Sequence, residues 1–317
     1  MPSAGDLLVV EGPTGVGKTG MGIALAQRFN GEIIGADSRQ IYRYMDIGTG
    51  KPTAEERARA PHHLIDFLDP DVAFSLTQYQ ALCSAAIAEI AARGKLPILV
   101  GGTGQYITAV LEGWHIPEVP PDDTLRAELA AYAEQHGADA LFQRLLAADL
   151  DAGAFIDPRN VRRVIRALEV SLVSGQPFSA QRVKAPPGYR ALELCLTLER
   201  TALDLRTDAR IDAMLDSGLV DEVRALFAMG YDWKLPAMSS LGYAELGAYL
   251  RGESTLEAAV VAFKANTRLF TRRQMTWFRK HGTPRWVDVQ TLDQGSLEHT
   301  IAAWLNGGQD ASGSQIL

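Results

Sequence analysis

Cysteine is almost absent: Cys83 and Cys195 are the only two in 317 residues. Two thiols build neither a disulfide framework nor a four-ligand zinc site, and both read as buried small hydrophobes. No stretch reaches the run of about 18 apolar residues that a membrane-spanning helix needs. The start, MPSAGDLLVVEG, lacks a basic segment and an apolar run of signal-peptide length, so the chain is expected to be soluble and cytoplasmic, with no membrane partner. Positive charge is also short, with 31 Lys and Arg against 38 Asp and Glu and a formal net charge of −7. That sign argues against a surface coated in basic patches for nucleic acid. The 47% hydrophobic content is ample for a large core and excludes a mainly disordered chain. The length suggests about two domains, and no internal repeat is visible.

The first third alternates apolar runs of strand length with amphipathic stretches. Leu7 to Glu11, Glu32 to Ala36 and Leu96 to Val100 are nearly continuous apolar runs, separated by helix-like segments such as Met21 to Phe29 and Leu76 to Ala92. Continuous hydrophobicity suits strands buried on both faces, and strand–helix–strand order predicts a parallel, doubly wound α/β sheet. Two further runs, Leu192 to Leu198 and Arg285 to Val289, come much later, so the sheet is expected to be interrupted by an insertion. Proline-rich breaks at 117–121 and 185–188 bracket it. Between them the chain is rich in Ala, Leu, Arg and Glu and reads as a small all-helical domain. Asp157, as N-cap, and Pro158, at the first helical position, predict a helix running to about Ser174 before Gly175. The resulting division is a first core part at 1–116, an inserted helical domain at 117–188, a second core part at 189–305, and a polar, flexible tail at 306–317.

Gly12-Pro13-Thr14-Gly15-Val16-Gly17-Lys18-Thr19 satisfies G-x-x-x-x-G-K-[ST] and lies between a predicted strand and a predicted helix. The glycines allow backbone N–H groups to close around phosphate oxygens, the helix N-terminus adds a favourable dipole, Lys18 supplies a charge, and the Thr19 hydroxyl can sit on Mg²⁺. Nucleotide hydrolases of this kind place a second acidic residue after an apolar strand, and GTPases add Asn-Lys-x-Asp. Neither is evident. Leu96 to Val100 ends in Gly101-Gly102-Thr103-Gly104, and the nearest acidic candidate is Asp37.

Ligands of open parallel sheets bind outside the carboxyl ends of the strands. Three such ends carry unusual residues: the phosphate loop, Asp37-Ser38-Arg39-Gln40 and Gly101 to Gly104. They are expected to converge on one crevice. Asp37 there can ligate Mg²⁺, act as a general base, or cap a helix over Ser38 to Tyr42. Gly101 to Gly104 is either a ligand loop or a tight strand-to-helix turn.

Two basic stretches stand out. Arg159, Arg162, Arg163 and Arg166 fall at i, i+3, i+4 and i+7, one face of the helix predicted from Asp157, and read either as a phosphate-reading surface or as a solvated face with acidic partners on neighbouring helices. The second stretch holds Lys264, Arg268, Arg272, Arg273, Arg279, Lys280 and Arg285 with no Asp or Glu among them, interleaved with Phe270, Trp277 and Phe278. Aromatics at helical spacing favour core packing for Trp277, and the charges are expected to be functional.

The chain resembles the tRNA dimethylallyltransferases, also called tRNA isopentenyltransferases. The resemblance runs from Gly12 to about Lys280 and rests on GPTGVGKT, ADSRQIYRYMDIGTGKP (36–52), HHLIDFLDP (62–70), GGTGQY (101–106), RRVIRALEV (162–170), LGY (241–243) and TRRQMTWFRK (271–280). It implies a P-loop NTPase-like parallel sheet flanked by helices with an inserted helical tRNA-binding domain. It also implies transfer of a dimethylallyl group from dimethylallyl diphosphate to N6 of the adenosine 3′ of the anticodon, with Mg²⁺ as cofactor and the anticodon stem-loop of tRNA as partner. The phosphate loop would then hold the donor's diphosphate, with Thr19 and Asp37 at the metal. Asp37 becomes the general base, Lys18 and Arg210 neutralise diphosphate, and Thr103 contacts RNA near the reacting base. Arg206, one turn before Arg210, is a second candidate. RNA contacts are implied at Asp37, Ser38, Arg39, Gln40, Thr103, Arg126, Arg162, Arg163, Val164, Ile165 and Arg166. A monomer is expected.

Three positions depart from the family pattern. Ala244 stands where Lys or Arg is usual, and Ser239 fills a position that is Arg in some members, so a local RNA contact is expected to be missing. Gly50 replaces a usual Ala, a change expected to be neutral. Two cysteines leave no room for the C-terminal zinc finger of eukaryotic relatives.

Overall fold

The computed structural model describes residues 5–117 and 119–307. The chain forms two compact units, one made of Met1–Leu111 with Gly188–Leu317 and the other of Glu112–Pro187. The expected tail lies, from residue 308 onward, outside the described residues.

The first unit begins with β1 (Asp6–Glu11), α1 (Lys18–Arg28), β2 (Gly31–Ala36), α2 (Ala54–Arg59), β3 (His62–His63), α3 (Leu76–Ala92), β4 (Leu96–Gly101) and α4 (Gly104–Glu112). The second contains α5 (Asp123–His136), α6 (Ala138–Ala148) and α7 (Val161–Ser174). The first then resumes with β5 (Arg190–Thr197), α8 (Arg200–Asp216), α9 (Leu219–Ala228), α10 (Tyr243–Leu250), α11 (Leu256–Lys280), β6 (Arg285–Asp288) and α12 (Gln294–Leu305). The six strands form one sheet in the order β3-β2-β4-β1-β5-β6, with every pairing parallel.

All six residues of β1 and of β2 are buried, as their continuous hydrophobicity demands. Alternate side chains serve opposite layers. Leu8 and Val10 pack with Ile23 of α1 and Ile301 of α12, whereas Leu7 and Val9 pack with Ile87 of α3 and Ile107 of α4. A third cluster joins Ile41, Tyr42 and Met45 to Val223 of α9, Leu246 of α10 and Phe263 of α11. It supports the segment between β2 and α2, which no periodicity marks.

Strand β3 escaped expectation because two histidines carry no hydrophobic signature; it is held by its register with Ile33 and Ile34. Helix α1 starts three residues before Met21, since the phosphate loop runs straight into it through Gly17, which caps the helix in a left-handed conformation at φ 107°. The helix expected from Asp157 instead starts at Val161. Asn160 is its cap, accepting from Arg163 N at 3.2 Å, while Asp157 closes a turn by accepting from Arg159 N at 2.9 Å. Arg159 therefore lies outside the helix and folds back onto Asp157.

Candidate active site

The glycines of the phosphate loop are there because neighbours occupy the space of their side chains. A Cβ on Gly15, whose φ is +84°, would stand 2.6 Å from the Thr207 methyl, and one on Gly17 would stand 3.3 Å from the Arg206 guanidinium. Lys18 Nζ donates to the Pro13 carbonyl at 2.9 Å, curling its ammonium under the loop. Gly12, Pro13 and Val16 are buried scaffold, while Thr14, Gly15, Gly17, Lys18 and Thr19 line a cavity of 460 Å³.

The same cavity is lined by Asp37 and Gln40 after β2, by Val100 and Gly101 at the end of β4, and by Arg206 and Arg210 on α8. The expected convergence of three strand ends is thus present in one place. Asp37 caps no helix: Ser38 to Ile41 is a turn, in which Asp37 Oδ1 accepts from Arg39 N at 2.9 Å. Thr103 binds the neighbouring residue, accepting from Ser38 N at 3.0 Å and donating toward Ser38 Oγ at 3.4 Å. Gln40 donates to the Thr49 and Gly50 carbonyls at 3.2 and 3.0 Å. Arg39 reaches the 236–239 turn, donating to Pro236 O at 2.7 Å and Ser239 Oγ at 3.3 Å. A cation therefore does reach position 239, delivered from position 39.

Helix α8 presents two sets of charges. Arg206 and Arg210, four apart, reach the cavity, and neither forms an ion pair with another described residue. Gly50 proves not to be neutral: at φ +58° it sits in a backbone conformation that disfavours a side chain, and its Cβ would collide with the Arg210 guanidinium. Sequence reasoning also missed what holds the 46–51 loop. The Glu222 carboxylate accepts from the backbone N–H groups of Asp46, Ile47 and Gly48 at 2.9, 2.8 and 3.1 Å and from the Tyr243 hydroxyl. Tyr243 is the last residue of LGY, so that motif braces the cavity wall. The buried Lys51 ammonium adds ties to Asp46, Asp66 and the Tyr42 carbonyl.

Electrostatically the cavity is built for an anion. Burial pulls the Lys18 ammonium down to about 8, with Asp37 holding it up and Arg210 pushing it further down. Directly beneath, Glu11 ends β1 with a carboxyl that burial raises to about 8, helped by Glu193 and opposed by Lys18. Its Oε1 has no hydrogen-bond partner among the described residues. At neutral pH Glu11 is therefore uncharged, and the loop keeps its positive potential.

The basic stretches are largely committed elsewhere. On α11, Lys264, Arg268 and Arg272 face Asp212, Asp208 and Asp204 of α8. Four-residue spacing on both helices makes this a three-rung ladder. For those three residues the expectation of a functional charge is replaced by a structural one. Trp277 is partly buried, donating from its indole to Thr108 Oγ1 at 3.1 Å and stacking on His281, and Phe278 is core.

In the helical unit, Glu169 is wholly buried and receives Asp122 N at 2.8 Å, Arg126 at 2.8 Å and Arg166 at 2.6 Å. Arg166 also donates to the Val119 carbonyl at 3.1 Å. Val164 is fully buried in this unit's core and Ile165 packs against it. A side-chain contact of Val164 with RNA is thereby excluded, and the guanidiniums of Arg126 and Arg166 are held by Glu169. Arg162 and Arg163 are exposed on α7, and neither forms an ion pair with another described residue. The bracketing contact is the bridge between Trp114 and Lys184, which puts the start of the unit at Glu112 and not at 117.

A parallel sheet whose first strand opens into a phosphate loop, facing two unpaired arginines and the carboxylates of Asp37 and Glu56, defines an α/β enzyme of the phosphate-loop class. Comparison with known proteins makes this specific. The family model for IPP transferase matches residues 40–281, and that for isopentenyl transferase matches 5–66. A tRNA dimethylallyltransferase of Roseiflexus sp. is 55% identical over 274 residues, 86% of this chain and 90% of the relative. One from Chloroflexus aggregans is 56% identical over 275 residues, 87% and 93% of the two chains. The crystal structure of a full-length tRNA isopentenylpyrophosphate transferase from Bacillus halodurans superposes with a TM-score of 0.72 at 40% identity, covering 97% of this chain and 98% of that one. A eukaryotic dimethylallyltransferase acting on tRNA gives 0.77 at 27% identity, covering 95% and 80%. The chain belongs to the tRNA dimethylallyltransferase family.

Proposed function

We propose that this chain transfers a dimethylallyl group from dimethylallyl diphosphate to N6 of the adenosine 3′ of the anticodon in tRNA, releasing diphosphate. The observation that carries this reading is the single cavity in which the phosphate loop, Arg206 and Arg210 face Asp37. In the reaction the C1–O bond to diphosphate breaks as the N6–C1 bond forms. Asp37 takes the proton lost from N6, a role worth about 10²–10⁴-fold for a positioned carboxylate. The leaving group gains negative charge as the bond breaks, and the N–H groups of Gly15, Gly17, Lys18 and Thr19, together with the Lys18, Arg206 and Arg210 side chains, would stabilise it.

The donor set fits Mg²⁺. The cavity lining includes the hydroxyl of Thr19 beside the phosphate loop and the carboxylates of Asp37 and Glu56, and no cluster of three or more acidic, His or Cys ligands occurs among the described residues. Mg²⁺ takes one or two protein ligands when phosphate oxygens and waters complete its shell. Bound there, it would neutralise part of the diphosphate charge. The acceptor must leave its stack to enter a cavity. Arg162 and Arg163 are the exposed cations on α7 suited to gripping RNA phosphate, and Gln40 in the cavity lining, with Ser38 and the Thr103 bonded to it, would contact the base. A monomer working in the cytoplasm completes the reading; no helix among the described residues is long and apolar enough to cross a membrane.

The test is incubation of unmodified tRNA with dimethylallyl diphosphate, Mg²⁺ and protein, followed by mass spectrometry of the nucleosides. One isopentenyl group on adenosine is the expected product. ATP turnover on a small acceptor with no such product would instead place the chain among small-molecule kinases.

A further inference from the structure

One side chain joins the phosphate loop to the third strand end. Gln274, on α11 and 6% exposed, accepts at Oε1 from Thr14 N at 2.9 Å and donates from Nε2 to the Gly102 carbonyl at 2.8 Å. One amide end accepts and the other donates, so these two partners fix its orientation. Gly102 is shaped to receive it, since a Cβ there would lie 2.5 Å from Gln274 Nε2. Residue 103 is the threonine whose hydroxyl holds Ser38 N at 3.0 Å, and Ser38 follows Asp37 directly. A continuous path thus runs from the phosphate loop, through Gln274, Gly102, Thr103 and Ser38, to Asp37. Thr14 N–H is turned into that path and Val16 N–H donates to the Pro13 carbonyl, leaving those of Gly15, Gly17, Lys18 and Thr19 for the anion.

We propose that Gln274 is a positioning residue for group transfer, setting the distance between the diphosphate and the base that removes the N6 proton. The inference rests on the reaction proposed above. Attack, transferred carbon and leaving oxygen must be aligned, and misplacement by about 1 Å costs on the order of 100-fold in rate. Neither substrate is bound chiefly by Gln274: the anion has Lys18, Arg206 and Arg210, and the RNA has its own contacts. Removing the bridge therefore lowers turnover more than it weakens either substrate.

The test uses Gln274→Met, which keeps length and volume but neither hydrogen bond, alongside Gln274→Ala and the unaltered protein. Single-turnover transfer to tRNA is measured together with equilibrium binding of tRNA and of inorganic diphosphate, each normalised to folded protein. For Gln274→Met the expected result is transfer slower by about 10- to 100-fold, with both dissociation constants within about threefold. A rate within about twofold of the unaltered protein overturns the proposal, as does a loss matched by equal weakening of both ligands. The second substitution at the joint, Gly102→Ala, is expected to slow transfer and to add little to Gln274→Met, because both break one coupling. Additive losses also overturn the proposal. Absence of transfer by the unaltered protein overturns the reaction itself; transfer by Gln274→Met at the rate of the unaltered protein removes only the role of Gln274.

Discussion

Diphosphate binding should draw protons into the site at alkaline pH, because two groups under the phosphate loop titrate near 8. Free Lys18 is charged at pH 7 and loses its proton as the pH passes about 8. Glu11 is neutral at pH 7 and gains a negative charge in the same range. Both changes make the loop less attractive to an anion. A bound diphosphate reverses them, restoring Lys18 toward its ordinary value of about 10.4 and keeping Glu11 protonated. Between the free and bound values affinity falls about tenfold per pH unit for each proton that must be taken up. Affinity is therefore expected to be flat below about pH 7 and to fall by at least about tenfold from pH 8.5 to 9.5. Calorimetric titration of diphosphate in two buffers of different ionisation enthalpy reads the protons directly: near zero at pH 7 and about one to two at pH 9, beyond the ligand's own ionisation. Lys18→Arg keeps its charge at every accessible pH and removes one of these protons. Glu11→Gln removes the other. Proton uptake in the Lys18→Arg, Glu11→Gln double variant equal to that of the unaltered protein would refute the reasoning.

Asp37→Ala is expected to lower transfer by about 10²–10⁴-fold while retaining tRNA affinity, measured by single-turnover assay and filter binding; full activity would remove it as the base. Arg162→Ala and Arg163→Ala should each weaken tRNA binding and reduce the steepness of its salt dependence by about one counterion, at unchanged thermal midpoint. Arg166→Ala should act on stability instead, lowering the midpoint by leaving the buried Glu169 short of a partner. Asp208→Asn, which frees Arg268 from the α8–α11 ladder, should lower the thermal midpoint only slightly and leave tRNA affinity unchanged. Tighter tRNA binding by that variant would return α11 to the RNA surface.

The central strands were readable because burial on both faces leaves a one-dimensional mark: β1, β2 and β4 are each an apolar run, whereas β5 and the edge strand β6, where Arg285 and Asp288 flank the buried Val287, carry it weakly. The phosphate loop and Asp37 were readable for a related reason, since both lie at strand ends, where a ligand crevice has to open. What stayed hidden depends on partners distant in sequence. Glu222 gives no local sign that it collects three backbone N–H groups some 175 residues away. Gln274 meets Thr14 across 260 residues of chain. Gly50 looked replaceable until Arg210 was found against its α-carbon. The helix start at Asp157 failed because Asn160 offered an equal cap three residues later and Asp157 was taken by Arg159.

Charge shows the same limit most clearly. A net charge of −7 spoke against nucleic acid, and a run of seven cations with no acid among them spoke for it. Neither count knows which charges face each other. Three of the cations on α11 are spent on Asp204, Asp208 and Asp212, and this pairing turns one side of α8 toward α11. Arg206 and Arg210 alternate with those acids along α8 and reach the cavity unpaired. The acidic residues that depress the net charge are thus among those that turn the arginines toward the cavity. Anion affinity follows from that local arrangement within about 10 Å, and the total charge carries little information about it.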